Sequence, residues 1–266
     1  MNAWPEHRRP PLQALLARAA AWLVAPPAAA EPSPWDPPGQ PGAPARGARP
    51  PAGGQPGANL GGSALDPPRP LVAVLGLGPR AGASTVARAV AVRLAAFDPG
   101  RAAVLHTADP PRGAPATADA SRLARALAAG GHDRPRAAGR LCVVAAAEPL
   151  ARLAAPRPAP VVADLAHGEP ADGPVALADH VVVVAGVDAE PALVAAVAVS
   201  LRETGVSAST VLNRVSGDPP SDLAHALVVP ESRLAAQLTL ACREPRGPLA
   251  QVAGELAERS LAEVWR

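Results

Sequence analysis

The amino-acid sequence predicts an α/β protein in which helices cover both faces of a mostly parallel, three-layer sheet, preceded by a proline-rich tail. Three observations predict this fold. Prolines concentrate in the first part of the chain, where 17 of the 35 precede Leu71. Beyond Leu71, short runs of valine, leucine and alanine alternate with alanine-rich stretches long enough for helices, the order typical of βαβ units. The runs are continuously apolar, as expected for strands buried on both faces.

The alternation places each element of the folded part in turn. Predicted strands cover residues 71–77, 102–107, 141–146, 160–165, 180–185, 209–212 and 227–229. Predicted helices cover residues 84–97, 118–129, 149–154, 190–203, 231–241 and 248–264. In such sheets the functional residues gather at the carboxyl ends of the strands. We therefore expect a site in the loops that follow residues 77, 107, 165, 186 and 212.

The first 70 residues divide into two segments. In residues 1–30, apolar side chains recur at helical spacing between Leu12 and Leu23, which predicts a short amphipathic helix that docks on a protein partner or a membrane surface. Two alternatives stay open: a frayed helix without a role, and a signal peptide, although Arg18 interrupts its apolar run. Residues 31–70 have almost no large apolar side chain, which predicts a disordered Pro/Gly-rich linker. Residues 71–266 then form one domain.

Charge and cysteine content exclude several function classes. The chain carries a net charge of +2, contains no lysine and has no dense basic run, so we do not expect sequence-specific nucleic-acid binding. Cys142 falls in a predicted strand and Cys242 in a helix, without CxxC spacing, which predicts two buried, reduced thiols and no metal site. A cytoplasmic location is the default expectation, with peripheral membrane attachment through residues 1–30 as the alternative.

The segment 71–86 predicts a phosphate-binding loop that lacks its lysine; it reads LVAVLGLGPRAGASTV. An apolar strand leads into a glycine-bearing turn and then a helix, the layout of G-x-x-x-x-G-K-[ST], in which backbone N–H groups and the helix N-terminus bind nucleotide phosphates. Gly82 and Ser84 occupy the positions of the second glycine and the hydroxyl, but Leu77 and Ala83 replace the first glycine and the lysine. The loop indicates a nucleotide-binding fold and argues against an ordinary NTPase.

Polar residues follow three more of the predicted strands. Asp109 follows the second strand, Asp164 lies at the end of the fourth, and Asn213 follows the sixth. A carboxylate at the end of a buried strand beside such a loop typically holds Mg²⁺ through water or orients an attacking water. For any single acid a turn or a helix cap is a sufficient explanation, most of all for Asp109 before two prolines. Three such residues at one predicted edge favour a site.

This pattern resembles the ParA/MinD-type P-loop ATPases between Leu71 and Val264. The deviant Walker A loop of that family, K-G-G-V-G-K-[ST]-[ST], matches residues 78–85, its D-x-D-P motif matches 107–110, and its D-x-P-x-G loop matches 164–168. Asn213 matches the asparagine that recognises adenine, and residues 229–231 resemble the I-P-x-[DE] turn. Similarity to the TadZ/CpaE pilus-assembly branch is partial, because that branch usually carries a receiver-like domain where this chain has its proline-rich tail.

The resemblance implies a degenerate nucleotide site. Its nucleotide-binding positions are Gly78, Arg80, Gly82, Ser84, Thr85 and Asn213, its Mg²⁺ positions are Ser84 and Asp164, and its candidate catalytic acid is Asp109. Gly78 and Ala83 replace the family's two lysines, and Thr107 replaces the first aspartate of D-x-D. Pro79 and Arg80 replace two glycines, and a proline removes one N–H donor.

These losses predict a protein that binds ATP or ADP with Mg²⁺ weakly or not at all. By resemblance it is a pseudo-ATPase scaffold or weak nucleotide sensor in the spatial organisation of a cell pole, membrane, chromosome or pilus machinery. Phosphoryl transfer depends on electrostatic stabilisation, so the loss of both lysines should nearly abolish turnover. Two alternatives stay open: a slow Mg-ATPase in which Arg80 partly replaces the missing charge, and a non-nucleotide protein-interaction module on a Rossmann-like scaffold.

Overall fold

An eight-stranded sheet forms the centre of the molecule. A computed structural model describes residues 69–266 except 79, 112–113, 156, 166–171, 204 and 216–218. The strands are β1 (Leu71–Leu77), β2 (Ala103–Thr107), β3 (Arg136–Ala138), β4 (Leu141–Ala145), β5 (Val161–Leu165), β6 (His180–Ala185), β7 (Ser207–Asn213) and β8 (Leu227–Val229). Their order is β3-β4-β2-β5-β1-β6-β7-β8, and every pairing except that of β3 with β4 is parallel. The predicted α/β class with a mostly parallel sheet is confirmed.

Helices connect the strands and cover both faces of the sheet. They are α1 (Ala83–Phe97), α2 (Ala118–Ala129), α3 (Ala151–Ala154), α4 (Asp172–Leu177), α5 (Pro191–Glu203), α6 (Arg233–Leu240), α7 (Gly247–Val264) and a 3₁₀ helix (Ser221–Leu223). The helix predicted over residues 1–30, and all but the last two residues of the linker predicted over 31–70, lie outside the described residues. The division of the chain into three parts therefore stays a prediction. None of the described helices is both long and apolar enough to cross a bilayer.

The predicted elements agree with the structure to within two residues at each end, but three elements were missed: β3, α4 and the 3₁₀ helix. β3 is three residues long with a single buried side chain, Ala138, so no apolar run marks it in the sequence. α4 contains Gly173 and Pro174, and both residue types disfavour a helix interior. Proline is tolerated in a first helical turn, however, where its missing N–H has no partner in the helix.

Alternate residues of the central strands pack into two separate hydrophobic cores. On β1, Leu71 and Leu75 face one core, which α2 and α5 cover, whereas Val72 and Val74 face the other, which α1 and α7 cover. All four side chains are almost completely buried. Because both faces are covered, these strands have no polar face, which explains their continuous apolar runs. Polar side chains are therefore confined to the ends of the strands, where a functional site can form.

A cluster of ion pairs and hydrogen bonds fixes the start of β1 at the amino-terminal edge of the sheet. The Leu71 N–H donates to the Asp179 carboxylate at 2.7 Å, and the Arg157 guanidinium donates to the same carboxylate. Arg157 also donates to the Arg69 carbonyl at 2.8 Å. Asp179 therefore holds the first strand in place, at the edge of the sheet opposite the predicted site.

Both cysteine side chains are free and buried, as predicted. Cys142 lies in β4, but the predicted helical position of Cys242 is wrong, because α6 ends at Leu240 and Cys242 follows in a left-handed turn with φ +53°. The two thiols belong to different cores. Burial raises the pKa of Cys142 to about 12 and that of Cys242 to about 11, so neither thiol ionises near neutral pH.

His180 is a buried histidine at the start of β6. Its Nδ1 and Nε2 atoms lie 3.0 Å and 3.1 Å from the hydroxyls of Ser207 and Ser209 on β7. Arg259 of α7 also donates to the Ser209 hydroxyl, at 3.1 Å. Burial lowers the pKa of His180 to about 4; the nearby Glu263 carboxylate opposes this shift and the Arg259 charge adds to it. The ring is therefore neutral at pH 7 and joins β6 to β7.

We expect the free energy of unfolding to decrease as the pH falls from about 6.5 toward about 4. In the unfolded chain a histidine takes up its proton near pH 6.5, whereas folded His180 does so only near pH 4. The folded state binds fewer protons in this window, so stability is complete above it and falls by up to about 3 kcal/mol through it. Urea denaturation across the window measures the slope. The slope should shrink in His180→Gln and persist in His225→Gln, where the side chain is exposed; equal slopes would contradict the assignment.

Candidate functional site

The carboxyl edge of the sheet brings the predicted residues together. The relevant strands lie in the order β2-β5-β1-β6-β7. Thr107 is the last residue of β2, Asp164 lies one residue before the end of β5, and Asn213 is the last residue of β7. Between them, the loop from Gly78 to Gly82 joins β1 to α1. The second half of the predicted D-x-P-x-G loop, from residue 166 onward, lies outside the described residues.

The loop has a left-handed backbone path although Pro79 and Arg80 stand at two positions where the resemblance expects glycines. The φ angle is +100° at Gly78, +62° at Arg80 and +87° at Gly82. A positive φ is unfavourable for a residue that has a Cβ atom, so the surroundings must hold Arg80 in place. Arg80 is exposed to solvent. Its neighbour Pro79 lies outside the described residues. The Ala81 N–H donates to the Gly78 carbonyl at 3.4 Å and closes the turn.

Two other strands hold this loop from one side. The Asn213 Nδ2 group donates to the Ala81 carbonyl at 2.8 Å. A Cβ atom on Gly82 would lie only 2.0 Å from that same Nδ2 atom. A Cβ atom on Gly186, just after β6, would lie 3.4 Å from the Ala81 Cα atom. The loop therefore packs directly on the ends of β6 and β7, and Asn213 serves here as a support for the loop.

Asp164 is the centre of the site. Asp164 is 3% exposed. One of its carboxylate oxygens accepts a hydrogen bond from the Ser84 hydroxyl at 3.1 Å, and the other accepts one from the Thr107 hydroxyl at 2.9 Å. Burial raises the pKa of Asp164, while the Thr107 and Ser84 hydrogen bonds and the Arg88 charge lower it. The Thr107 hydroxyl in turn accepts from the Asp109 N–H at 3.2 Å. One hydrogen-bonded chain thus joins α1, β5, β2 and the loop after β2.

Asp109 interacts with an arginine that sequence reasoning missed. The Arg88 Nη2 group donates to the Asp109 carbonyl at 2.6 Å and to its carboxylate at 3.3 Å. The Asp109 side chain is 80% exposed, whereas that of Arg88 is 3% exposed. The signal for Arg88 was its place as the one charged residue between Val86 and Val92, four positions after Ser84 and so on the same helix face.

Thr85 and Asn213 line a small pocket of about 80 Å³ on the other side of the first turn of α1. The turn at residues 229–231, which the sequence also singled out, forms another wall, and Arg214 and Arg233 contribute to the lining. Ser84 and Thr85 therefore serve different parts of the site, since Ser84 turns to Asp164. The structure brings together the loop, Ser84 and Asp164 on one side, and Thr85, Asn213 and the 229–231 turn on the other.

The arrangement fits a magnesium ion better than it fits a polyphosphate. The Ser84 hydroxyl and the Asp164 carboxylate are the oxygen ligands that Mg²⁺ prefers. N–H groups at the start of a helix can receive a phosphate oxygen, although that of Thr85 already donates to the Gly82 carbonyl at 3.0 Å. However, Gly78 and Ala83 bring no charge where the resemblance expects lysines. Among the described residues, no group of three His, Cys, Asp or Glu side chains could hold a metal by itself.

Comparison with known proteins gives structural neighbours only. No family model matches the chain, and no curated protein matches it. A ParA family ATPase from Chlorobium tepidum TLS is 12% identical, with 74% of this chain and 98% of that chain covered and a TM-score of 0.45. A chain of the MinC:MinD cell division protein complex of Aquifex aeolicus is 14% identical, with 73% and 96% covered and a TM-score of 0.46.

A third neighbour is a nucleotide-binding protein from Archaeoglobus fulgidus, solved in complex with ADP. It is 17% identical, with 65% of this chain and 86% of that chain covered and a TM-score of 0.41. The structural neighbours include ParA and MinD proteins. The family that the sequence resembles is thus represented among them.

The contact between Gly82 and Asn213 can be tested by substitution. We expect Gly82→Ala to lower the free energy of unfolding by more than Gly205→Ala. Both glycines have a positive φ, +87° and +78°, so both variants incur the left-handed cost of about 1–2 kcal/mol. A Cβ atom at Gly205 meets nothing within 4 Å, whereas one at Gly82 collides with Asn213. Urea denaturation measures the difference.

The double variant Gly82→Ala/Asn213→Ala isolates this collision. It should recover part of the stability that Gly82→Ala loses, because the small side chain at position 213 removes the clashing atom. If Gly82→Ala cost no more than Gly205→Ala, or if the two substitutions were simply additive, the close packing of Asn213 on the loop would be refuted.

Proposed function

We propose that this chain is a degenerate ParA/MinD-like P-loop protein that binds nucleotide weakly and hydrolyses it little or not at all. It acts as a scaffold or a weak nucleotide sensor in spatial organisation, at a cell pole, membrane, chromosome or pilus machinery. One observation carries the proposal: Ser84 and Asp164 keep a hydrogen-bonded hydroxyl–carboxylate pair beside a tightly turned loop that carries no lysine. The docking of a protein partner through residues 1–30 belongs to the same proposal.

The residues of the site have separable roles toward a nucleotide. Ser84 and Asp164 would hold Mg²⁺, which supplies positive charge at the phosphates when it is bound. The backbone of Gly78, Arg80 and Gly82 would face the phosphates. Thr85 and Asn213, which line the small pocket beside the first turn of α1, would border the remainder of the nucleotide. Asp109 is the candidate for orienting water, but its carboxylate is paired with Arg88 and largely solvated.

The expected affinity for MgATP is low because the loop has no lysine at positions 78 and 83. A hydrogen bond to a charged group contributes about 1.5–3 kcal/mol net. Two such losses correspond to a weakening of MgATP binding by a factor of roughly 10² or more. Arg80 stands in the loop and is exposed, so it offers partial compensation at most. An arginine fork does not reproduce the compact ammonium of a P-loop lysine.

Calorimetric titration with MgATP and MgADP tests the proposal directly. We expect binding weaker than about 10 μM, equivalent to about −7 kcal/mol, and no ATP hydrolysis above the rate without protein. Asp164→Asn is the matched control, because an amide keeps the size of the carboxylate without its charge and still accepts from one of the two hydroxyls, while its NH₂ group can donate to the other. Magnesium-dependent binding tighter than about 10 μM that Asp164→Asn abolishes would overturn the proposal in favour of a slow Mg-ATPase.

Restoring the lysine tests whether the loop still has the shape of a phosphate site. We expect Ala83→Lys to bind MgATP about tenfold or more tightly than the wild type, since one charge-assisted contact is regained. Ala83→Met is the control, because it has a similar length and no charge. Equal affinities of the Lys and Met variants would show that position 83 does not face a phosphate, and the P-loop interpretation of the loop would fail.

A further inference from the structure

Arg88 is a buried charge to which the proposed nucleotide site assigns no contact with nucleotide or Mg²⁺. Arg88 lies in the second turn of α1 and is 2% exposed. Its guanidinium donates to two backbone carbonyls, that of Asp109 at 2.6 Å and that of Leu240 at 3.5 Å. Its Nε atom has no hydrogen-bond partner in the described part of the chain. The guanidinium is thus held in place from two sides by the main chain.

The ionic partner of this buried cation is poorly matched to it. The Asp109 carboxylate lies 3.3 Å from Nη2, and its side chain is 80% exposed. A carboxylate in that position keeps most of its water, so the pair resembles a surface ion pair in strength. A buried guanidinium, in contrast, loses its hydration and gains most from a close, bidentate oxyanion. Arg88 can therefore accept a better placed carboxylate than the one that Asp109 provides.

An open groove of about 460 Å³ gives access to Arg88. One wall is formed by the loop after β2, with Pro110 and Pro111, and the other by the end of α6, with Leu240 and Ala241. These walls are mainly apolar, and Leu240, which is 40% exposed, presents its side chain to the groove. The groove combines aliphatic contact surface with a single buried cation.

We propose that this groove binds an acidic segment of a partner protein, with one carboxylate of that segment on Arg88 and an adjacent aliphatic side chain on Pro110, Pro111 and Leu240. The carboxylate replaces that of Asp109, whose side chain turns fully into water at little cost because it is already largely solvated. Arg88 itself does not move, since the Asp109 and Leu240 carbonyls keep hold of it.

The lining of the groove favours a peptide over a nucleotide or a free anion. A nucleotide needs several N–H donors for its phosphates, whereas the side chains of the groove offer only the Arg88 guanidinium and the Gln237 amide, beside two prolines that have no N–H and the Asp109 carboxylate, which would repel a phosphate. A free anion would gain nothing from the aliphatic walls. The proposal does not depend on the Ser84–Asp164 site, so it stands or fails independently of nucleotide binding.

The test uses the full chain and two capped hexapeptides, acetyl-LDLLDL-amide and acetyl-LNLLNL-amide, with inorganic phosphate as the third probe. The Nε–Hε resonance of Arg88 in ¹⁵N-labelled protein reports occupation of the groove. We expect saturable binding of the aspartate peptide and at least tenfold weaker binding of the asparagine peptide. Asp109→Asn should bind the aspartate peptide about three- to fivefold more tightly, because the competing internal carboxylate is gone.

Leu240→Glu, at an exposed position, should abolish binding of the aspartate peptide by repulsion and loss of aliphatic contact. Both Asp109→Asn and Leu240→Glu change exposed side chains, so the test does not require a variant of buried Arg88. Equal binding of the two peptides, or unchanged affinity in Asp109→Asn, would overturn the proposal. Phosphate binding as tight as that of the aspartate peptide and unaffected by Leu240→Glu would also overturn it, because the site would then be a small-anion site.

Discussion

The buried Asp164 carboxylate is the group on which the arrangement of the site depends. A carboxylate that is 3% exposed needs hydrogen-bond donors, since each unsatisfied buried polar group costs about 1–3 kcal/mol or more. Ser84 and Thr107 each donate to one of its oxygens. These two bonds fix the first turn of α1 and the end of β2 relative to β5. The connection from β1 to α1 must then fit the short space that is left, which requires its left-handed turns.

Shape and charge at the loop are specified by different residues. Shape depends on close contacts: Asn213 on Gly82, Gly186 on Ala81, and Gly76, where a Cβ atom would approach that of Ala83 to 3.1 Å. None of these contacts involves a charge. Lysines can therefore be absent from positions 78 and 83 while the backbone keeps its path. The residues that determine the path of the loop are therefore not the ones that would bring charge to a phosphate.

The sequence predicted what local patterns specify. Continuous apolar runs marked the central strands, and strand ends marked Asp164 and Asn213, because burial on both faces confines polar groups to the edges. β3 was missed since three residues with one buried side chain form no pattern. The role of Arg88 was missed for another reason: its partners, Asp109 and Leu240, are 21 and 152 residues away along the chain. Contacts at such separations follow from the packing of α1, α6 and the loop after β2, which no local pattern records.

Thr107 places a neutral hydroxyl, and not a second carboxylate, beside Asp164. By resemblance an aspartate would stand at this position, and a carboxylate there could not donate to Asp164. It would also place a second negative charge beside an acid whose pKa burial already raises, with no lysine at position 78 or 83 to offset it. The Thr107 hydroxyl removes that repulsion and donates to Asp164 at 2.9 Å. Relative to the family that the chain resembles, the threonine therefore offsets one of the two positive charges that are absent at positions 78 and 83. A site whose polar groups satisfy one another in this way retains little unbalanced positive charge for a polyphosphate, which is the physical reason to expect weak nucleotide binding from a well-formed fold.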